Sequence, residues 1–341
     1  MKEILEAILE QIAEADITPI RNFLFENPCE PLVATGSGGA EAAADLLALL
    51  YGARGGVGTA VSPMTLNSFS DSALSTSKIL LISKGGHNKD IIFATRRGLK
   101  ANPEKTAGIF LYEGERNEAR KILLKAKSKN SFCIPLTQST DGFVAIGTTF
   151  AYFALFARIF QPKVNVLKYK NIPRNPYTIC LNDGTPLKIE DLKKVNSYLI
   201  LHGSWGRPVA DSLEGKLVES SLATASVFDF RNYCHGRFIF TSNHLEDSAI
   251  VMLISPREKK IAQNIRKFLP KTAKLILIET EHDSPEASLD QLIRSTVFFE
   301  DICKENGVNH KSPANPGKID KRRPMSIPFT EELKKYGPLT L

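Results

Sequence analysis

Three residues of the chain have the types and the spacing of a proton-transfer site. Lys216 and Glu219 stand three residues apart in the stretch LEGKLVES, and His235 follows in the stretch CHGR. On a helix, residues at i and i+3 share a face, so the two charged side chains would lie together. A carboxylate and a histidine are groups that move protons near neutral pH. A weak surface ion pair has the same spacing, so the pair alone leaves both interpretations open.

A second pattern is an internal repeat. The stretch LVATGSGGAEAAADLLALL begins at Leu32, and LILHGSWGRPVADSLEGKL begins at Leu199. Each predicts a buried strand, a glycine turn and a helix, so the chain is predicted to contain two copies of one domain. The residues that match at a constant offset are Gly36 and Gly203, Ser37 and Ser204, Gly39 and Gly206, Ala43 and Ala210, and Leu46 and Leu213.

The rest of each half alternates short apolar runs with helical patterns. This alternation predicts an α/β fold, with a parallel sheet covered on both faces. The stretch 144–160 is apolar nearly all round and predicts a buried helix. The predicted strands are KILLIS (78–83), TAGIFLY (106–112), SFCIPL (131–136), AIVMLIS (249–255) and AKLILIE (273–279), and the predicted helices include one from about Asp90, NEARKILLKAKSK, 257–268 and 289–305. The domains are predicted at 1–160 and 197–306, with a Pro- and Asn-rich linker at 161–196 and a tail at 307–341 that closes the site.

Three small polar loops follow predicted strands of the first half. They are TGSGG (35–39), SKGGHNKD (83–90) and TQSTDG (137–142). In parallel sheets ligands lie at the carboxyl ends of the strands, where a helix N-terminus favours an anion. None of the loops is a P-loop or a dinucleotide-binding G-x-G-x-x-G. A single glycine turn is weak support for a ligand site, whereas three at the same edge favour one.

Composition limits the alternatives. The formal net charge is +7, but the basic residues are spread along the chain without a zinc finger or an RNA-binding signature, so nucleic acid is not a predicted partner. No apolar run approaches the ~20 residues of a membrane span, and the N-terminus predicts an amphipathic acidic helix and no signal peptide. We therefore expect a cytoplasmic protein. The five cysteines are scattered, so neither a disulfide, a metal site nor any cofactor is predicted.

With these motifs, the chain resembles the sugar isomerase (SIS) domain family in its two-domain form. It is similar to the isomerase half of glucosamine-fructose-6-phosphate aminotransferase and to relatives that lack a glutaminase domain. Lys216-Leu217-Val218-Glu219 and His235-Gly236 match the family's K-L-x-E helix and H-G-P turn, and Pro313, Asn315 and Lys318 match its P-x-N-x-x-K tail. The resemblance implies two tandem three-layer α/β/α domains with flavodoxin-like, mainly parallel sheets. It also implies a homodimer with shared active sites.

The resemblance implies an enzyme that acts on a phosphorylated sugar or amino sugar. Its reaction would be aldose–ketose isomerisation, deamination of an amino-sugar phosphate, or deglycation. Glu219 would shuttle a proton between C1 and C2, and His235 would assist ring opening. Lys318 would form an imine with the open-chain carbonyl, while Lys216 would hold Glu219 ionised or stabilise the enolate oxygen. The residues implied for phosphate binding are Gly36, Ser37, Gly38, Ser83, Lys84, Gly85, Asn88 and Ser139.

The chain departs from the family pattern at its loops. The usual S-x-S-G-x-T reads Ser83-Lys84-Gly85-Gly86-His87-Asn88, and Arg237 replaces the proline of the H-G-P turn. These changes favour a substrate other than the commonest hexose phosphate. They also leave a non-catalytic sensor of sugar phosphates as the alternative, although the four candidate catalytic residues together favour an enzyme.

Overall fold

The computed structural model describes residues 2–126, 128, 130–136 and 141–311. They form two compact units, each built on one five-stranded sheet. The strands are β1 (Leu32–Gly36), β2 (Gly58–Val61), β3 (Lys78–Ser83), β4 (Thr106–Phe110), β5 (Ser131–Cys133), β6 (Thr178–Leu181), β7 (Ser197–His202), β8 (Thr224–Asp229), β9 (Ser248–Ile254) and β10 (Lys274–Glu279). The helices are α1 (Lys2–Glu14), α2 (Thr18–Phe25), α3 (Gly39–Ala53), α4 (Pro63–Leu66), α5 (Asp71–Ser75), α6 (Lys89–Ala101), α7 (Glu118–Lys125), α8 (Gly147–Phe160), α9 (Arg207–Glu219), α10 (Phe230–Asn232), α11 (Phe238–Asn243), α12 (Lys259–Arg266) and α13 (Glu286–Glu305).

The first unit carries a fully parallel sheet with the strand order β2-β1-β3-β4-β5. Strands β1, β3 and β4 are buried along their whole length. Helices on both faces exclude water from them, which explains why the sequence of each is a nearly continuous apolar run. The buried helix predicted at 144–160 is confirmed as α8, of which only Arg158 is not buried.

The second unit carries the strand order β6-β10-β9-β7-β8, with all pairs parallel except β6 with β10. Side chains alternate between its faces, as strand geometry requires. Tyr198 contacts Phe298 of α13 on one face, while the neighbouring Leu199 packs in a cluster with Ile265 of α12. Strand β6 comes from the segment 161–196, which the sequence suggested was a linker, so part of that segment belongs to a sheet.

The two sheets repeat one topology. The order β2-β1-β3-β4 corresponds to β8-β7-β9-β10, so β1 and β7 hold the same place, next to the central strands β3 and β9. This confirms the prediction of two tandem α/β/α domains with mainly parallel sheets. In each sheet the strand order reverses beside the central strand, between β1 and β3 or between β7 and β9. Such reversal points leave a crevice at the carboxyl ends of the strands.

The N-terminus forms two helices where the sequence predicted one. Helix α1 ends at Glu14, and Asp16 accepts a hydrogen bond from the backbone N–H of Thr18 at 2.9 Å, which begins α2. Pro19 has no N–H to donate and is tolerated only in the first turn of a helix, so the chain must break there. Arg158 of α8 donates to the carbonyl oxygens of Ile12 and Ala15 at the end of α1. None of the helices in the described ranges is both long and apolar enough to cross a bilayer.

Candidate active site

Lys216 and Glu219 lie in the last turn of α9, in the second unit. The helix begins after Gly206 with Pro208 in its first turn, and its apolar residues, such as Leu213 and Leu217, are fully buried. The i,i+3 spacing places both charged residues toward one side of the helix. Lys216 is only 4% exposed, whereas Glu219 reaches the surface. The pair is therefore not the exposed ion pair that the sequence left open as an alternative.

The ammonium group of Lys216 is desolvated but not isolated. Its Nζ donates to the Oγ of Ser212 and, at 3.4 Å, to the Ser212 carbonyl oxygen. Burial lowers the pKa of Lys216 to about 8, and the carboxylates of Glu219 and Asp141 oppose this change. Burial disfavours the charged amine because water no longer stabilises it. A lysine with this pKa exchanges its proton far more readily near neutral pH than an ordinary lysine does.

The pKa of the Glu219 carboxyl is raised, whereas that of Lys216 is lowered. Partial burial raises the pKa of Glu219, Lys216 lowers it, and the nearby Glu214 adds to the increase. A general base works best when its pKa lies near the working pH, because the group must both take and return a proton. A surface-reaching carboxylate with a raised pKa, beside a buried cation, is thus suited to proton transfer to and from a bound molecule.

Asp141 also belongs to this cluster, although its position in the sequence indicates no catalytic role. It lies in the segment Asp141–Ile146, which belongs to the second unit although it precedes α8. Its Oδ1 accepts a hydrogen bond from the backbone N–H of Ile146 at 3.0 Å, and its charge raises the pKa of Lys216. The sequence placed it in the loop 137–142 as part of a glycine turn. Only the fold brings Asp141 near Lys216 of α9.

His235 lies in a tight turn between α10 and α11. Asp229 caps α10, because its Oδ1 accepts from the backbone N–H groups of Arg231 and Asn232. The hydroxyl of Tyr233 donates to the Oγ1 of Thr241 at 2.9 Å across the turn. Gly236 has φ +99°, a conformation that a residue with a Cβ adopts only with strain. The imidazole of His235 is exposed. Within the described residues, no direct contact joins it to Lys216 or Glu219.

The predicted phosphate loops of the first unit converge. The side-chain amide of Asn88 donates to the Oγ of Ser37 at 3.2 Å, which joins the loop after β1 to the loop after β3. The Oγ of Ser83 accepts from the backbone N–H of Gly86 at 3.1 Å. Gly36, Ser37 and Gly38 precede α3, and Ser83, Lys84, Gly85 and Asn88 precede α6, so both loops lie at helix N-termini. Ser139 and Lys318 lie outside the described residues.

The candidate residues occupy different edges of their own sheets, and the His235 turn, which follows the carboxyl end of β8, does not share an edge with Lys216 and Glu219. The loops of the first unit lie at the carboxyl ends of β1 and β3. In the second unit, α9 runs back from the carboxyl end of β7 to the amino end of the parallel strand β8, so Lys216 and Glu219 lie toward the amino edge. The carboxyl-edge crevice of the second unit is therefore separate from the cluster of Lys216 and Glu219.

Comparison with known proteins supports the fold assignment. No protein-family profile matches the sequence, and no curated protein sequence is significantly similar to it. Solved structures do resemble it. Tagatose-6-phosphate ketose/aldose isomerase from Escherichia coli has a TM-score of 0.68 at 15% identity, with 91% of this chain and 92% of that chain covered.

Two further structures give the same result. Glucosamine-6-phosphate deaminase from Thermotoga maritima has a TM-score of 0.61 at 15% identity, over 92% of this chain and 98% of that chain. The C-terminal domain of glucosamine-fructose-6-phosphate aminotransferase from Francisella tularensis has a TM-score of 0.62 at 13% identity, over 91% and 96%. The chain therefore has the fold of phosphosugar isomerases, as the resemblance of its sequence implied.

Proposed function

We propose that the protein is an enzyme of the phosphosugar isomerase type, acting on a phosphorylated sugar or amino sugar. The observation that carries the proposal is the cluster at the end of α9, where the buried Lys216 lies beside the surface-reaching carboxyl of Glu219. Its support comes also from the fold shared with sugar-phosphate enzymes. The reaction is aldose–ketose isomerisation, or deamination or deglycation of an amino-sugar phosphate through the same proton transfer.

In the isomerisation, Glu219 removes the proton from C2 of an open-chain aldose and returns it to C1. As the C2 proton leaves, the oxygen on C1 is protonated to a hydroxyl and an enediol forms. The hydroxyl proton at C2 is then lost as the C2 carbonyl forms and C1 receives the proton from Glu219. One carboxylate placed over both carbons serves both steps, so no net proton is gained or lost. His235 would give a proton to the ring oxygen during opening, as the C1 hydroxyl loses one, and Lys318 would form the imine where an amino sugar reacts.

The burial of Lys216 favours one of its two possible roles. At 4% exposure its ammonium is enclosed by protein, so it is poorly placed to touch an enolate oxygen. It is well placed to hold the Glu219 carboxylate ionised, because its charge lowers the pKa of that carboxyl. Lys216 is thus a positioning residue in this proposal, while Glu219 is the catalytic residue.

The phosphate group would bind in the first unit, in the crevice between β1 and β3. The loops there carry Ser37 and Asn88 in contact, at the N-termini of α3 and α6. Backbone N–H groups at a helix N-terminus and the positive end of its dipole favour a phosphate. Gly36, Gly38, Ser83, Lys84, Gly85 and Ser139 complete the proposed binding residues. The lost second serine at Gly85 predicts a phosphate pose different from the commonest one in the family.

A homodimer with shared active sites is part of the proposal. Three consecutive apolar residues directly after the His235 turn are exposed, namely Phe238 (44%), Ile239 (56%) and Phe240 (46%). Contiguous exposed apolar side chains of this size are typical of surfaces that another protein covers. A second copy at this surface would bury them and would enclose the imidazole of His235, which is otherwise exposed.

Proton exchange detected by NMR tests the proposed reaction class. The protein is incubated in D2O with a panel of phosphorylated ketoses, aldoses and 2-amino sugars, and the C1 and C2 proton signals are followed. Loss of either signal with one panel member identifies the substrate class. Binding detected by line broadening, without any exchange, would contradict the enzyme and support the sensor.

A further inference from the structure

The second unit has a crevice equivalent to the proposed phosphate crevice of the first. We call the space between the ends of β1 and β3 the first crevice, and the space between the ends of β7 and β9 the second crevice. The loop Gly203–Gly206 lines the second as 36–39 lines the first, with Gly203, Ser204 and Gly206 at matching positions. Both lie where the strand order reverses, which is where ligands of such sheets bind.

The side chain of Glu258 fills the second crevice. A Cβ built on Gly203 would lie 2.0 Å from the Oε1 of Glu258 and 2.1 Å from its Cδ, so the carboxylate rests directly against the Gly203 backbone. Only a glycine at position 203 leaves room for it. Glu258 itself is 9% exposed. A carboxylate enclosed in this way takes the place that a ligand anion would occupy.

The carboxylate also receives the hydrogen bonds that such an anion would use. The backbone N–H of Ser255 donates to the Oε2 of Glu258 at 3.1 Å, and the hydroxyl of Ser255 donates to the same oxygen. Arg207 begins α9 directly after the loop Gly203–Gly206. The crevice therefore has hydrogen-bond donors for an anion, but the chain supplies that anion itself.

The first crevice differs from the second at the position three residues after the matching serine at the strand end, where Gly86 stands in place of Glu258. The strand endings Leu81-Ile82-Ser83 and Leu253-Ile254-Ser255 have the same sequence. Three residues after Ser83 stands Gly86, whose N–H donates to the Ser83 hydroxyl. Three residues after Ser255 stands Glu258, whose carboxylate binds that serine. At position 86 the first loop has no side chain of its own, and the space beside Gly86 holds the uncharged carboxamide of Asn117. The second loop brings a negative charge at the equivalent position.

We propose that Glu258 is a built-in substitute for a phosphate group, which excludes phosphorylated ligands from the second crevice and leaves the chain with one phosphate site. The inference rests on the proposed function in one respect, since it takes the first crevice as the phosphate site. Exclusion follows from volume and charge together, because a phosphate would have to displace a carboxylate that is already hydrogen-bonded and would repel it. The duplicated fold then binds one sugar phosphate per chain, and not two.

The test counts bound inorganic phosphate by isothermal titration calorimetry on the full chain. Glu258→Gly places the residue of the first crevice in the second, and the expected change is from one phosphate per chain to two. Glu258→Gln is the matched control, because it removes the charge but keeps the volume, and we expect it to bind one. Glu258→Ser is a second opening variant if the glycine variant fails to fold. Circular dichroism establishes that each variant is folded.

The outcomes separate this inference from the proposed function. Asn88→Asp puts a carboxylate into the first crevice and should abolish phosphate binding there. If the double variant Asn88→Asp/Glu258→Gly then binds one phosphate, the new site lies in the second crevice. If the wild type binds no phosphate while Glu258→Gly binds one, the first crevice is not a phosphate site, yet the role of Glu258 stands. A folded Glu258→Gly or Glu258→Ser protein that gains no phosphate overturns the inference.

Discussion

Replacing Lys216 by methionine tests whether the proposed site rests on a desolvated lysine. Methionine is close to lysine in length and carries no charge. The pKa of Lys216 falls from the usual 10.5 to about 8 in the folded chain. At about 1.4 kcal/mol for each pKa unit, burying this ammonium costs the fold roughly 3 kcal/mol at neutral pH.

Because the cost comes from a titrating group, the free energy of unfolding should change with pH in a defined way. Because the folded pKa is the lower one, the unfolded chain binds more protons between pH 8 and pH 10.5, and the stability of the wild type rises with pH there. The full cost is present below pH 8 and is relieved as the pH approaches 10.5. Between pH 7 and pH 10 the wild type should gain about 2 to 3 kcal/mol relative to Lys216→Met. Other titrating groups contribute to both proteins and largely cancel in the difference.

The assay is urea unfolding of both proteins at pH 7, 8, 9 and 10, with the free energy of unfolding obtained by linear extrapolation. We expect Lys216→Met to be the more stable protein at pH 7, by less than the full 3 kcal/mol because Ser212 loses the hydrogen bonds that Lys216 donates. The difference should shrink or reverse as the pH rises. Parallel curves, with a difference that does not change with pH, would refute the lowered pKa and with it the electrostatic account of the site.

Three further predictions follow from the same contacts. Asp141→Asn removes a charge that raises the pKa of Lys216, so the pH at which stability begins to rise should move below 8 in the same urea series; an unmoved onset would remove Asp141 from the cluster. Gly236→Ala should destabilise the protein by about 1 kcal/mol or more because of φ +99°, whereas Gly215→Ala inside α9 should be neutral or stabilising; equal urea midpoints would contradict the strained turn. Asn88→Asp sets a negative charge beside Ser37 and should weaken phosphate binding more than tenfold in calorimetry, with Asn88→Ser as the uncharged control.

The sequence predicted the strands that lie in the interior of each sheet. Strands such as β3 and β9 are buried on both faces, so their composition is unmistakable. It missed β2 and β8, which are edge strands with partly exposed and mixed sequences, GTAV and TASVFD. Such strands form because a neighbouring strand offers its backbone, and local sequence does not record that neighbour. Strand β6 was missed for the same reason, since it pairs with β10 nearly 100 residues later.

The candidate site was predictable where its residues are close in sequence. The spacing of Lys216 and Glu219 predicted a shared helical side, and α9 confirms that placement. The burial of the Lys216 side chain was not predictable, because it depends on how α9 packs against the rest of its unit. Asp141 and Glu258 act through contacts with residues distant in the chain or through a glycine at another loop. Those contacts exist only in the folded chain.

The central claim is that Glu219 carries the proton between C1 and C2 of a sugar phosphate. The most direct measurement is the rate of C1 and C2 proton exchange in D2O for the wild type and for Glu219→Gln, with the substrate that the panel identifies. Line broadening of the substrate signals records binding in the same samples. We expect exchange to fall by a factor of about 100 or more in Glu219→Gln while binding is nearly unchanged. Exchange that continues at the wild-type rate in Glu219→Gln would contradict it.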